Sequence, residues 1–409
     1  MDTTDRGYFI EEDKDVVFTN VNIVTTNEVV SGMRLHTKKG IIVALETEKE
    51  ENKPSSTESV KVIDGKGLFL APGFVDQHCH GGSTGRFMVD PEGAAAYHLR
   101  HGTTAVMATF SPRPTVEESL QSLKNFAMFC RSDSPMAEVI AGIHMEGPFT
   151  NPKYGAHRPW SIQPGPENGL RFFEAIKEMR SIWSVAPELP GCLEMCSALR
   201  LHAHSHLPRF LVGHTEANYE QITALLPYGL VGVTHCTNAT GFAENFRPGI
   251  RSFGVDETCW LLDEISAEVI PDYYGVHVHP NMLRLILKIK GDKGVVIITD
   301  CTYRLDEVPE ALLEKYELEN LDVCFNAKGQ LAGSKMTMDR ACANMRRHTG
   351  ASLVSVFRMA SLNPARLIGI DDETGSIEVG KRADLVLVDS NINLYGVWSK
   401  GREVNRQRE

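Results

Sequence analysis

No apolar run in this 409-residue chain approaches the ~20 residues a membrane-spanning helix needs, which argues against a helical membrane protein. Lysine and arginine (42) are outnumbered by aspartate and glutamate (53), the formal net charge is -11, and no basic run occurs. The cationic face of a nucleic-acid binder is therefore missing, although a small basic pocket for an anionic substrate stays open. The opening MDTTDRGYFIEEDKD is acidic and has no apolar h-region, so it does not read as a secretory signal. Nine cysteines, an odd number scattered without a paired framework, suggest reduced thiols and a cytoplasmic location. No internal repeat or low-complexity segment stands out.

What is present is enough apolar residue, 42%, for a sizeable core, and a length that suits one large barrel with a smaller appendage. Residues 16–70 read as short strands (VVFTNVNIV, GMRLHTKKG, IIVALE, VIDGKGLFLAPG), with 48–59 as a solvated loop. GSIEVGKRADLVLVDS and INLYGVWSKGREV repeat this pattern at the far end. Neither half has strands enough to close a core alone, so both ends are expected to share one small β-sandwich, over 1–70 and 374–409.

Between them, over 71–373, strands alternate with helices. Eight strand candidates cover 74–80, 103–110, 138–146, 182–188, 209–216, 230–238, 268–278 and 294–300. Most are continuous β-branched or apolar runs, as expected of strands buried on both faces. Helical stretches such as VEESLQSLKNFAMFCR, LRFFEAIKEMR and HPNMLRLILKIKG lie between them. The pattern predicts an α/β fold, a (β/α)₈ TIM-like barrel.

The polar residues of these runs collect at their C-terminal ends: His78 and His80, Glu146, His214, His235 and Asp300. That end is where barrel enzymes work. A spacing of two puts His78 and His80 on one face of a strand. A lone histidine at a strand end is more often a satisfied polar residue than a ligand. Six suitable residues in one register point instead to a divalent metal site, zinc first, with iron, manganese, cobalt or nickel as alternatives, one or two ions per chain. Cys79, Cys236 and Cys301 adjoin these positions and are expected to point away, outside the barrel. His98, His101, His202, His204 and His206 fall on helical or connecting segments and are expected to face solvent. Asp300 can serve as general base and then general acid for a water and an amine; its bland alternative is a helix N-cap.

At this point the chain resembles a known family. PGFVDQHCHGG looks like the strand-1 HxH motif of the amidohydrolase superfamily. HMEGPF (144–149), GAH (155–157), VAPE (185–188), VGHTEA (212–217), THCTNAT (234–240), GVHVHP (275–280), ITD (298–300) and LAGSKMTMD (331–339) resemble its N-acetylglucosamine-6-phosphate deacetylase branch. NPARLIGI and GSIEVGKRADLVLVD are similar to that branch's closing segment. The resemblance spans nearly the whole chain. It implies hydrolysis of an N-acetyl amino-sugar phosphate, with Glu146, His214 and His235 as the main metal ligands. It also implies a pocket lined by Ala156, His157, Asn238, Ala239, His277, Leu331, Ala332 and Gly333, with His277 near the acetyl carbonyl. Arg247 is the candidate phosphate clamp. Many binuclear relatives bridge their metals with a carboxylated strand-4 lysine; the run IWSVAPE has none, and Glu146 on strand 3 can bridge instead.

The departures from the family pattern fall on the substrate side. Thr240 stands where the family shows methionine, Arg247 abuts Pro248, Tyr274–Gly275 replaces an aspartate–glycine pair, and CTYRLDE follows ITD. Three readings therefore remain: the deacetylase itself; the same chemistry on another N-acyl amino sugar, N-acyl amino acid or cyclic amide; and a scaffold without activity. Loss of ligands would favour the last, and none is lost. The expected partners are a small amino-sugar phosphate and a second copy of the chain in a homodimer, with no nucleic acid and no membrane.

Overall fold

The computed structural model describes residues 7–10, 14–48, 56–57, 59–82, 85–156, 161–242, 253–302, 322–326 and 328–406. Its centre is a parallel eight-stranded sheet in which each strand lies beside the next one in the chain. The barrel strands are β1 (Phe74–Cys79), β2 (Thr103–Phe110), β3 (Ile140–Glu146), β4 (Ser181–Val185), β5 (Arg209–Val212), β6 (Leu230–Val233), β7 (Ser266–Val269) and β8 (Val295–Ile297). The ring closes just past β8: the Asp300 N–H donates to the His78 carbonyl at 2.9 Å, the His80 N–H to the Cys301 carbonyl at 2.9 Å, and Cys79 bridges Cys301 in parallel register. All eight residues of TTAVMATF are buried, as expected where helices cover the outside and side chains fill the inside.

The interior is layered. At the N-terminal end Val75, Ala105, Met107, Ile182 and Leu211 pack together and are plugged from below by Ala365, Ile368 and Ile370. Above them the layer is polar and opens into a cavity at the C-terminal end of the strands. Helices formed by the predicted runs close the outside, for example Val116–Phe129, started by a Thr115–Glu118 capping box, and Pro280–Lys290. Among the described residues no helix is long and apolar enough to cross a membrane.

The two chain ends do share one sheet. Asp15–Val24, Val29–Lys38, Ile41–Thr47, Val60–Asp64 and Phe69–Pro72 come from one end, and Leu385–Val388, Leu394–Ser399 and Arg402–Glu403 from the other. The seam is the antiparallel pairing of Leu385–Val388 with Phe69–Pro72. Phe18 and Trp398 lie three strand steps apart in this sheet, yet their rings meet edge to face at 4.7 Å. At ~4.8 Å per step a flat sheet could not bring them together, so the sheet curls round its own core. Gly73 alone separates this sheet from β1, and a Cβ there would lie 2.2 Å from the Thr104 hydroxyl, so only glycine permits the junction.

The cysteines next to the strand-end histidines do point outward: Cys79, Cys236 and Cys301 lie in the core between strands and helices. One expectation is corrected. His98 does not face solvent but is fully buried, with Nε2 2.9 Å from the Gly81 carbonyl and 3.1 Å from the Cys79 thiol. The helix Pro91–Arg100 lays that residue against the turn after β1, where a buried carbonyl and thiol need a partner. His101 and His206 are partly buried, His101 within 3.5 Å of Asp339; His202 and His204 are exposed as expected.

Candidate active site

The site is built where the strands stop. Sequence reading extends β5, β6, β7 and β8 too far: they end at Val212, Val233, Val269 and Ile297. His214, His235 and Asp300 therefore sit two or three residues beyond the hydrogen-bonded strand, and all three have left-handed backbone (φ 48°, 30° and 46°). That conformation costs a non-glycine residue about 1 kcal/mol or more and is typical of positions held for function. On β1 a register shift between Asp76 and Cys79 breaks strict alternation. Gln77, His78 and His80 consequently all reach inward.

These side chains converge. Glu146 Oε1 lies 3.1 Å from His214 Nε2, 3.1 Å from His235 Nε2 and 3.4 Å from His78 Nε2, and its Oε2 is 3.0 Å from His80 Nε2. Asp300 Oδ1 is 3.3 Å from His80 Nε2 and 3.5 Å from His78 Nε2. The far side of each ring is occupied: His214 Nδ1 faces the Tyr154 carbonyl at 3.1 Å, His235 Nδ1 the Asn238 carbonyl at 3.2 Å, His78 Nδ1 the Glu268 carboxylate at 3.3 Å, and His80 Nδ1 the Ser111 hydroxyl at 3.0 Å. Carbonyls and carboxylates only accept, so at least three rings carry a proton on Nδ1, which leaves Nε2 as the nitrogen that a cation at the centre would meet. His214 Nε2 and His235 Nε2 are 3.0 Å apart, and His78 Nε2 is buried without a hydrogen-bond partner. Lone pairs packed that closely repel unless a cation or protons lie between them. The donor set fits a divalent cation: His78, His80 and Asp300 form one buried triplet with ligand atoms within 4.8 Å of one another, and Glu146, His214 and His235 form a second.

The electrostatics agree. Burial disfavours the imidazolium form of His78, but the charges of Glu146 and Asp300 outweigh it and hold this ring well above its ordinary range. Against the same burial, hydrogen bonds donated to Asp300 and Glu146 raise His80, and the bond to Glu146 raises His235. Glu146 is held well below the usual carboxylate range, and Asp300 below it, because the His78 charge and the neighbouring rings overcome desolvation. The cluster is arranged to be neutralised by positive charge.

The mouth above is a cavity of about 830 Å³. Of the residues expected on the substrate side, Ala156, Asn238, Ala239, His277, Leu331, Ala332 and Gly333 line it together with His80, Glu146, His214, His235 and Asp300. His78 lies beneath. His157 and Arg247 fall outside the described residues. Gly155 presses on the His214 ring, where a Cβ would come within 2.4 Å of Nδ1, and its φ of 83° also requires glycine.

Comparison with known proteins then decides the lineage: a model of the amidohydrolase family matches residues 69–404. The chain belongs to the amidohydrolase family. It is 30% identical to an N-acetylgalactosamine-6-phosphate deacetylase of Escherichia coli O157:H7, with 84% of this chain and 89% of that one covered. It is 31% identical to an N-acetylglucosamine-6-phosphate deacetylase of Vibrio furnissii over 82% of each chain. Among solved structures it is similar to N-acetylglucosamine-6-phosphate deacetylase from Pasteurella multocida (25% identity, TM-score 0.77, 96% of this chain and 100% of that one). It is also similar to a mutant of the Mycobacterium smegmatis enzyme in complex with N-acetyl-D-glucosamine-6-phosphate (27%, 0.76, 95% and 99%).

This amidohydrolase carries supporting groups that sequence reading missed. Glu268, 1% exposed, accepts from Gln77 Nε2 at 2.7 Å and from the His235 N–H at 3.1 Å while facing His78 Nδ1. One carboxylate thus ties together the two triplets that could hold a metal. The third buried triplet, His78, His144 and Glu268, is not a metal site by the same reasoning. His144 spends both nitrogens on the Gln77 carbonyl (3.0 Å) and Ser184 (2.7 Å), and burial pushes it down to about 3. Asp272 is the second omission. It accepts from the His277 N–H at 2.7 Å and lies 3.3 Å from His277 Nδ1. Despite its burial, Asp272 is held low by these bonds. His277 Nε2 is buried and unpartnered. A buried glutamate in an apolar run and an aspartate inside PDYYG carry no local motif; only the fold reveals what they face.

Outer partners of metal ligands typically cost 10–100-fold in metal affinity when removed. Glu268→Ala is expected to weaken metal binding within that range, measured by competition with a chelating dye. Unchanged affinity would show that His78 and His235 need no such tether.

Proposed function

We propose that the chain is a metal-dependent deacetylase that hydrolyses N-acetylglucosamine 6-phosphate to glucosamine 6-phosphate and acetate. The observation that carries the reading is the joint occupancy of one cavity: paired imidazole–carboxylate triplets at its floor, and the residues of the GAH, TNA, GVHV and LAG motifs on its walls. The deacetylase names of relatives and neighbours over most of the chain support the substrate class. His78, His80, Glu146, His214 and His235 would hold one or two divalent ions, zinc first, then iron, manganese, cobalt or nickel. A bound ion supplies Lewis acidity to the amide carbonyl and acidifies the attacking water. Asp300 takes the proton from that water and returns it to the departing nitrogen. Asp272 orients His277, whose free Nε2 is available to the acyl oxygen, donating when the ring is doubly protonated. Asn238, Ala156, Ala239 and the backbone of Leu331, Ala332 and Gly333 would position the sugar. A cytoplasmic homodimer, with the barrel over 71–373 and the end sheet over 1–70 and 374–409, completes the proposal; sedimentation tests the assembly.

The E. coli relative supports a second reading, the C4 epimer N-acetylgalactosamine 6-phosphate. Comparing kcat/KM for both N-acetylhexosamine 6-phosphates and for the free sugars tests both. A preference for either free sugar would overturn the phosphate assignment. Arg247→Ala is expected to erase most of the preference for the phosphorylated sugar. Losing one charged hydrogen-bond pair costs about 1.5–3 kcal/mol, or one to two powers of ten in kcat/KM. Arg86 and Arg113 line the same cavity, and an equal loss in Arg113→Ala with none in Arg247→Ala would move the clamp to the loop after β2.

A pH test addresses the metal site. In chelated protein His78, His80 and His235 titrate above their ordinary 6.5 and Glu146 below its ordinary 4.5. The raised histidines stabilise fully below pH 6.5 and lose that contribution as pH rises through their folded values. The depressed glutamate stabilises above 4.5 and loses its contribution as pH falls through its folded value. Chelated protein should therefore lose Tm from pH 6.5 upward, while metal-loaded protein, which holds these rings neutral, gains relative to it. Parallel Tm curves would remove this site from the account.

A further inference from the structure

At the end of the barrel remote from the mouth, where β4 and β5 begin, lies a second cavity of about 430 Å³. That size falls within the roughly 300–1,000 Å³ of small-molecule sites. Its floor includes Met107, Ile182 and Ile368 of the inner apolar layer, and its rim carries Arg180, Arg200 and Arg209. None of these residues lines the catalytic mouth. Arg180 donates to Glu373 at 3.2 Å and Arg200 to the Pro208 carbonyl at 3.2 Å. The Arg209 side chain, unlike its backbone in the β4–β5 ladder, makes no hydrogen bond or ion pair among the described residues.

Gly229 makes room for the Arg200 guanidinium, and Gly369 lies in ordinary contact with that of Arg209. A Cβ on Gly229 would sit 2.3 Å from Arg200 Nη1, and one on Gly369 would sit 3.5 Å from Arg209 Nη2. Nearby acids are engaged elsewhere: Glu373 also pairs with Arg382 at 3.4 Å, and Asp371 lies 3.8 Å from Arg366. Burial and the Arg200 charge depress Arg209 against the pull of Asp371. Burial and Arg180 likewise depress His206, on the same wall, against Glu178 and Glu373. Like charges over an apolar floor repel, and an anion between them removes the cost.

We propose that this cavity binds a small phosphorylated metabolite, its phosphoryl group held by Arg200 and Arg209 and its body resting on the apolar floor. Guanidinium forks match phosphate oxygens in pairs, which a compact ammonium does not. Binding there stabilises the folded chain by mass action and leaves the distant chemistry untouched.

The probe is inorganic phosphate, titrated into the metal-loaded full chain, with the His206 ring resonance, assigned through His206→Gln, as the local reporter. Phosphate is expected to shift that resonance saturably toward the protonated form and to raise Tm. Arg209→Gln, which breaks no described bond, should weaken the response at least about tenfold, and Arg200→Gln with Arg209→Gln should abolish it. Deacetylase kcat/KM should stay within about twofold, as for substitutions remote from the site. Arg209→Gln should be at least as stable as the parent without phosphate, because it relieves repulsion. A His206 resonance that does not move, or moves equally in parent and Arg209→Gln, overturns the proposal. A rise in Tm without that shift assigns phosphate to the catalytic mouth alone. Failure of the deacetylase assay leaves this test unaffected, since its reporter does not depend on turnover.

Discussion

Asp300→Asn is expected to keep its metal and lose turnover by roughly two to four powers of ten, the scale of a general acid–base. The substitution preserves shape and removes one function. The backbone of Asp300 is fixed independently of its side chain: its N–H donates to the His78 carbonyl at 2.9 Å and its carbonyl accepts from the Ser334 N–H at 2.8 Å. The variant should therefore fold, and the triplet of Glu146, His214 and His235 contains none of its atoms. What disappears is a carboxylate held ionised, against desolvation, by the His78 and His80 rings. An amide cannot take a proton from water or return one to an amine. Metal content by atomic spectroscopy and kcat at saturating substrate decide the matter. A near-normal rate would hand the proton transfer to another group. Loss of metal with the rate would recast Asp300 as a ligand needed for occupancy.

The barrel and the convergence of the candidate metal ligands were legible because two patterns coincide. Runs such as TTAVMATF announce strands buried on both faces, and suitable polar residues recur at the C-terminal ends of five of the eight runs. The reading failed where the chain leaves the sheet. His214, His235 and Asp300 look like strand residues in VGHTEA, THCTNAT and ITD, yet they sit in left-handed turns beyond the last ladder bond. Period-two reasoning gave His78 and His80 a common face but did not reveal Gln77; the shift on β1 brings Gln77 and His78 to one carboxylate. Glu268 and Asp272 were invisible for a different reason. Their partners lie 190 and 5 residues away, respectively, and neither spacing belongs to a local motif. His98 reads as an exposed helical residue because nothing in the sequence tells which helix face meets the turn after β1.

Glu146→Gln is expected to lose bound metal by about a hundredfold or more in affinity, beyond the 10–100-fold that outer partners cost, and to lose activity with it. Among the described residues Glu146 is the carboxylate within 3.4 Å of all four inward-facing imidazoles, with Oε1 toward His214, His235 and His78 and Oε2 toward His80. Glutamine keeps the length but replaces one oxygen with an N–H₂ and removes the charge. If the amide oxygen takes the Oε1 place, a donor faces His80 Nε2 and no anion remains between the triplets. If it takes the other place, a donor sits between His214 and His235, where a cation should be. In both orientations the amide is a poor ligand for a hard or borderline divalent ion. Strand β3 ends at this residue and packs through Ile143 and Met145, so the ladder does not depend on the carboxylate. Circular dichroism should show the fold retained, which separates ligand loss from unfolding. Chelated parent protein should recover its activity when metal is returned, and Glu146→Gln should not at any metal concentration that saturates the parent. Parent-like metal content in the variant would place Glu146 outside the ligand set and leave His214 and His235 to hold the ion without it.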